Sequence, residues 1–435
     1  MSPLSLSTRL CALVALSGVS ACVGQGDVPG PPYELMVLDR VSPQSDEFEL
    51  RRARLDTLDD FEQLAAPGFR IRQAGVLHVE EIHGDMVSSG SFEGDTAPAL
   101  RYVVEDGVAV PRDYATLLMF SAAYQFETVL EGLAQVTTPS VFDALEARGS
   151  VDVILGPVLK RRRDGIEASL RIDTNAFFFP PGWQFGLAQS SEHEKAPLAA
   201  DARVIAHELG HAVFQTAFAG GTEETCVAAD AGENQHDPWF VGRLEQELVI
   251  GGLNEGFADW LSFAVTGGTD PISSIDAPRD PRLTRNVPER RLTEDNFRWS
   301  QIAKLGDASG SETRCMGKYC IGTLFARSLI AAYQATGRDL GDVLARQEYS
   351  RAVVSALEGT LSRMQENELP SPGPEVARCE SREDVSADED PPLVGAFLQA
   401  FLRGLPPVDA ASVCRQLEAR FEAGFPGEFR QDCRR

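Results

Sequence analysis

The chain has 435 residues, 43% of them hydrophobic, and 65 acidic against 40 basic side chains give it a formal charge of −25. That much apolar material supplies a core sufficient for two or more lobes and excludes a disordered or fibrous chain. So acidic a body excludes nucleic acid as a partner and repels anionic lipid; charge otherwise speaks to solubility and carries no inference about substrate.

Residues 1–21 read as a targeting segment rather than structure. Arg9 supplies a positive start, and Leu10 to Val19 form an apolar run too short to span a bilayer. The run ends Val19-Ser20-Ala21-Cys22, which resembles the lipobox of bacterial lipoproteins. That resemblance implies cleavage before Cys22 and lipidation of that residue. Each buried methylene of an acyl chain adds about 0.8 kcal/mol to such an anchor. The protein is therefore expected in the bacterial cell envelope, lipid-anchored in the outer membrane or at the cell surface, facing an oxidising compartment. Loss of Arg9 with the leader takes the charge from −25 to −26. Residues 22–32 form a Gly/Pro spacer, and no later run of 18 apolar residues occurs, so the lipid is the only expected membrane contact. Outside the cytoplasm, Cys226, Cys315, Cys320, Cys379, Cys414 and Cys433 are expected as disulfides, with connectivity open; no C-x-x-C suggests a cysteine zinc site.

Residues 33–113 alternate polar and apolar positions among many turn residues, the pattern of a mixed, mostly β region. His78 and His83 fall on one strand-like piece and read as polar strand-face residues rather than a second metal site. Tyr114 to Ala134 is a helix by its spacing of Leu117, Phe120, Phe126, Val129 and Leu130. Val151 to Leu159 and Ile166 to Phe179 read as paired strands. The basic run Lys160-Arg161-Arg162-Arg163 lies between them, as a hairpin tip rather than a binding patch.

The helix that follows holds His207-Glu208-Leu209-Gly210-His211 inside an apolar-periodic run from Val204 to Phe214, with Gly220-Gly221 as its stop. Imidazoles four positions apart lie about 40° apart round a helix and roughly 6 Å apart along it, so their nitrogens can converge on one cation. Glu208 can reach a metal-bound water as general base without being a ligand. The competing reading is a pair of core histidines on an amphipathic helix. A second helix start, at Gly252-Leu253-Asn254-Glu255, sets Glu255 and Asp259 four apart on one face. A catalytic zinc needs a third protein ligand, which Glu255 can supply, and Asp259 one turn on can accept the free ring N–H of a ligating histidine. Without the first motif an ordinary solvated helix face would fit that pair equally well.

Together these stretches resemble the thermolysin-like glutamate zincins, whose pattern is H-E-x-x-H followed by N-E-x-x-x-D. The resemblance covers roughly Tyr114 to Ala264. It implies His207, His211 and Glu255 as zinc ligands, Glu208 as the base and Asp259 behind a histidine. In that family an edge strand with a similar N-A-aromatic stretch pairs with the extended substrate. Asn175 and Ala176, ahead of three phenylalanines and with Asn175 32 positions before His207, are the match here. A buried aromatic strand fits the same residues equally well.

The family's oxyanion-stabilising histidine has no counterpart, since no histidine follows His236. Arg314, Lys318, Tyr319 and Arg327 are donors in the right part of the chain, and Tyr319 is chosen. The Ala219 to Gly251 excursion is longer than in the best-known members, so the fit is to the superfamily.

The fold implied is α+β and zincin-like, with a β-containing N-terminal lobe and a mostly helical C-terminal lobe. Residues 114–265 form the catalytic core, 266–313 a surface loop, and 314–435 a helical region with disulfides, interrupted by an acidic linker from Glu366 to Pro392. The function expected is a zinc endopeptidase acting on peptide or protein substrates. An aminopeptidase is disfavoured because no G-x-M-E-N-type stretch is present, and a non-catalytic surface-anchored binding protein is the alternative of a different class.

Overall fold

A computed structural model describes residues 31–45, 47–82, 85–163, 166–170, 175–179, 183–188, 197–219, 238–269, 317–367 and 393–421. The targeting segment, Cys22, most of the 22–32 spacer, His83, Cys226, His236, Cys315, Cys379, Cys433, nearly all of the 266–313 loop and of the acidic linker lie outside them. So do the side chains of Asn175 and Tyr319.

The regular elements described in residues 33–113 are strands joined by turns, as the alternation predicts. Tyr33–Arg40 buries Tyr33, Leu35 and Val37 at period two, running antiparallel to Phe48–Leu55 and parallel to Val108–Pro111, which carries Tyr102–Glu105 on its far side. A second sheet orders Ala65–Ala66, Phe69–Gln73, Val151–Leu155, Gln184–Ala188 and Asn175–Phe179, with the last as an edge. The third orders Ile166–Leu170, Val158–Arg163, Val76–Ile82 and Asp85–Glu93.

The expected pairing of Val151–Leu159 with Ile166–Phe179 holds in part: Leu159 lies opposite Leu170, whereas Val151–Leu155 pairs with Phe69–Gln73 and Gln184–Ala188 instead. Gly156, at φ +65°, and Pro157 break the first run after Leu155, and its two halves enter different sheets. Lys160 to Arg163 do climb to a hairpin tip, with Arg163 opposite Ile166.

Helix α1 (Tyr114–Val136) starts at Asp113, whose side chain accepts from Thr116 N at 2.8 Å. Its buried face joins two sheets: Ser121 Oγ accepts from Leu38 N at 2.9 Å, and the Phe126 ring lies 5.9 Å from Phe69 and 5.0 Å from Phe185. Helix α2 (Pro139–Glu146) follows, with Thr138 as cap and proline in its first turn. The helices that hold the site are α3 (Ala202–Ala219) and α4 (Pro238–Thr266), and α5 (Gly317–Ala335) packs on α4. Helices α6 (Val343–Glu358), α7 (Thr360–Glu366), α8 (Leu393–Gly404) and α9 (Pro407–Phe421) complete the C-terminal region.

Helix α3 is described to Ala219, and the expected stop at Gly220-Gly221 lies outside the described residues; α4 does not start at Gly252. It begins at Pro238 and runs straight through Gly251-Gly252, so the last part of the supposed excursion is helix. Glycine inside a helix costs about 1 kcal/mol against alanine, which is why the pair read as a start. Further along, packing returns that cost: a Cβ on Gly256 would meet Gly322 O of α5 at 2.3 Å. Only two glycines let these backbones approach so closely.

One continuous apolar cluster runs from Tyr33 through Phe120, Leu209 and Trp260 to Leu417. The β-rich and helical regions therefore share a core, in a mixed α+β chain. Around Phe397, the rings of Phe214, Phe218, Phe325 and Phe401 tie α3 and α5 to α8. Cys414, buried in α9, is disulfide-bonded. Among the described residues no helix is long and apolar enough to cross a membrane.

Candidate metal centre

The motif helix starts at a buried anchor. Asp201, fully buried just before α3, accepts Arg203 N at 3.1 Å and Arg40 Nε at 2.9 Å on Oδ1, while its backbone carbonyl receives Val204 N and Ile205 N. Arg40 ends the strand Tyr33–Arg40 and also pairs through Nη2 with Asp201 Oδ2, so the N-terminal sheet fixes where α3 begins. From there the helical period carries Val204, Ile205, Leu209 and Val213 into the core and turns His207 and His211 toward α4.

Two contacts hold α4 against that face. Gly210 brings the backbones together, since a Cβ there would lie 2.7 Å from Ala258 Cα. Ser262 Oγ donates to Arg203 O at 2.8 Å. Between these contacts lie the side chains that the sequence singled out on α4, and they do meet the histidines.

His207 and His211 rings stand edge to face with centroids 4.9 Å apart. Glu255 Oε2 is 3.5 Å from His207 Nε2 and 4.0 Å from His211 Nε2. A tetrahedral zinc with bonds of about 2.0–2.2 Å keeps its ligand atoms roughly 3.3–3.5 Å apart, so the three atoms need little movement to share one ion. Glu208 brings its own carboxylate to within 4.8 Å of both imidazoles, making His207, Glu208 and His211 a group able to hold a metal ion.

Behind the rings, His207 Nδ1 stands at hydrogen-bond length, 2.9 Å, from Asp259 Oδ1. His211 Nδ1 lies 3.0 Å from Asn254 Oδ1. An oxygen acceptor within about 3 Å of each Nδ1 favours the tautomer with its hydrogen there, which would leave the Nε2 of a neutral ring free to bind a metal. Nothing in the residue types alone marked Asn254 for this work. Its place directly before Glu255, in the asparagine position of the N-E-x-x-x-D pattern, was the available signal.

The electrostatics favour positive charge at this spot. Glu208, Glu255 and Asp259 are buried carboxylates, at 8%, 7% and 1% exposure, gathered beside the two imidazoles. Burial alone would lower the proton affinity of His207, but Asp259, Glu255 and Glu208 outweigh it and raise its pKa to about 9. Without a metal, the cluster holds a proton where a metal would otherwise sit. The donor set of two imidazole nitrogens and carboxylate oxygen suits zinc among common ions, since magnesium and calcium prefer oxygen alone.

The remaining expected site residues divide. Ala176 is buried on the edge strand Asn175–Phe179, which packs near α3. Tyr319 lies in the first turn of α5, the helix that packs on α4, with its side chain outside the described set. His78 is half-buried and belongs to no metal-capable group among the described residues. No protein-family model matches the chain, and no curated protein matches its sequence.

Proposed function

We propose that this chain is a zinc-dependent endopeptidase. The observation that carries the reading is the convergence of His207 Nε2 and His211 Nε2 on Glu255 Oε2, with Glu208 alongside. The three buried carboxylates beside the histidine pair support the reading, since a bound cation would offset their mutual repulsion. His207, His211 and Glu255 hold the zinc. When bound, it supplies Lewis acidity, polarising a carbonyl and lowering the pKa of a water.

The other roles fall to the chain's own groups. Glu208 takes the proton of the attacking water and hands it to the leaving amine. Asp259 and Asn254 hold the two rings with their lone pairs turned inward. Tyr319 donates to the oxygen on which negative charge develops. An extended substrate peptide runs along Asn175 and Ala176 at the sheet edge. Acylated Cys22 attaches the enzyme to the cell envelope, and the spacer holds the cleft clear of it.

The test is zinc analysis combined with cleavage of casein, an unstructured protein, by the parent and by Glu208→Gln. The parent should contain about one zinc and cleave. The variant should keep its zinc and lose at least about a hundredfold in turnover, since an amide cannot accept the water's proton. Zinc without cleavage in the parent leaves the non-catalytic binding protein as the better reading.

A further inference from the structure

We infer a second ligand site, a pocket for a small uncharged apolar molecule, on the side of α3 away from the histidines. A cavity of about 370 Å³ lies there, within the size range of small-molecule sites. Four elements besides α3 close round it, through Phe69 and Val151 of the second sheet, Leu133 of α1 and Leu145 of α2. Leu209 and Ala212 of α3 complete the wall, and Leu209 lies about 160° round the helix from both His207 and His211. All six residues are buried and apolar.

The polar groups near those walls are committed elsewhere. Glu127 is the one polar side chain among the described buried residues of the lining, and its Oε1 accepts the backbone N–H groups of Asp56 at 2.9 Å and Thr57 at 2.5 Å. Its Oε2 is sealed from any water-sized molecule and offers a ligand no contact. Trp183, half-buried at the rim, donates its indole N–H to Gly149 O at 2.9 Å. A molecule inside therefore meets hydrocarbon, and a charged or polar atom buried there would lose its water without gaining a partner. Glu131 and Glu146, exposed residues of the lining, set an anion at a further disadvantage.

The backbone of Trp183 gives a second, independent sign. Its φ of +49° is a conformation that a bulky residue rarely adopts. Three contacts hold it there: the bond to Gly149, the Arg148 guanidinium 4.6 Å from the ring, and Phe178 edge-on at 5.2 Å. Strain so over-determined by its surroundings gathers at ligand clamps. The energetics name the same class of occupant. Walls without hydrogen-bonding groups give water little, whereas an apolar molecule gains dispersion contacts with them and sheds its own hydration. This site does not depend on the zinc reading.

The probe is toluene, added to the full chain at millimolar concentration beside benzoate, which carries a carboxylate in place of the methyl group. Toluene should raise the melting temperature and, by calorimetry, bind at least about tenfold more tightly than benzoate, whose charge finds no partner in the pocket. Nuclear Overhauser contacts should run from the toluene ring to the methyl groups of Leu133, Leu145 and Val151. Val151→Phe places a ring in the same space and should abolish toluene binding. The proposal fails if toluene leaves the melting temperature unchanged, or if benzoate binds as tightly. Contacts to other methyl groups, those beside the metal centre included, would also overturn it, as would toluene binding that survives in folded Val151→Phe. Should that variant not fold, the contacts in the parent decide alone.

Discussion

Gly210 of α3 sits so close to Ala258 of α4 that a methyl group on it would lie 2.7 Å from Ala258 Cα and 3.1 Å from Ala258 Cβ. The glycine between the motif histidines thus sets the helix separation at which Glu255 can reach both rings. Gly210→Ala would gain about 1 kcal/mol of helix propensity, but overpacking against backbone costs roughly 1–3 kcal/mol. The clash should win, because a Cα, unlike a flexible side chain, cannot swing aside. The variant is expected to lose several degrees in melting temperature and to bind zinc more weakly as Glu255 moves away. Unchanged zinc affinity would show that the contact does not set the site.

His211→Ala tests the ligand set more directly. The two Nε2 atoms and Glu255 Oε2 form the convergent triangle, and removing His211 leaves two donors. Parent protein should carry about one zinc per chain, and the variant should retain none after dialysis against a weak chelator. Full occupancy in the variant, measured by elemental analysis, would overturn the assignment.

Much of this site was legible because a helix converts spacing into direction. His207 and His211 at i and i+4, and Glu255 and Asp259 at the same interval, each had to share a face. What spacing within a helix could not say was whether the two faces meet. That depends on Gly210 against Ala258, a contact between positions 48 apart. Asn254 escaped notice for the same reason, since only the packed pair of helices brings it to His211 Nδ1. The start of α4 was misread because Gly251-Gly252 carries a local breaker signal that tertiary packing overrides. The opposite holds at Val151 to Leu159, which reads as one strand by its apolar residues but is divided between two sheets at Gly156 and Pro157.

The proposed membrane attachment rests on one side chain. Cys22→Ser should abolish fatty-acid labelling and leave the protein unprocessed or released in soluble form, because the acyl chains need that cysteine. A body of net −26 has no electrostatic attraction to anionic headgroups that could replace the anchor. Wild-type protein that takes up no label and fractionates as soluble would make residues 1–21 an ordinary cleaved leader.

Asp259→Asn separates orientation from ligation. Asp259 lies behind His207, with Oδ1 2.9 Å from Nδ1, and Glu255 lies in front, 3.5 Å from Nε2. The amide is nearly the same size as the carboxylate, so packing at this 1% exposed position should survive, while the metal-free protein loses a charge that favours protonated His207 and should melt modestly lower near neutral pH. Two things do change. The amide can turn either its oxygen or its NH2 toward the ring, so the tautomer that leaves Nε2 as a lone pair is no longer imposed. The negative charge that makes the imidazole a better donor is also lost. Groups in this position typically contribute 10–100-fold to metal affinity, and a loss of about that size in zinc binding is expected. The check is zinc affinity by competition with a chromophoric chelator, read beside a thermal melt of the metal-free form. Weakened binding with an intact fold supports an orienting role for Asp259. Unaltered affinity would remove Asp259 from the site and leave His207 held by its helix alone.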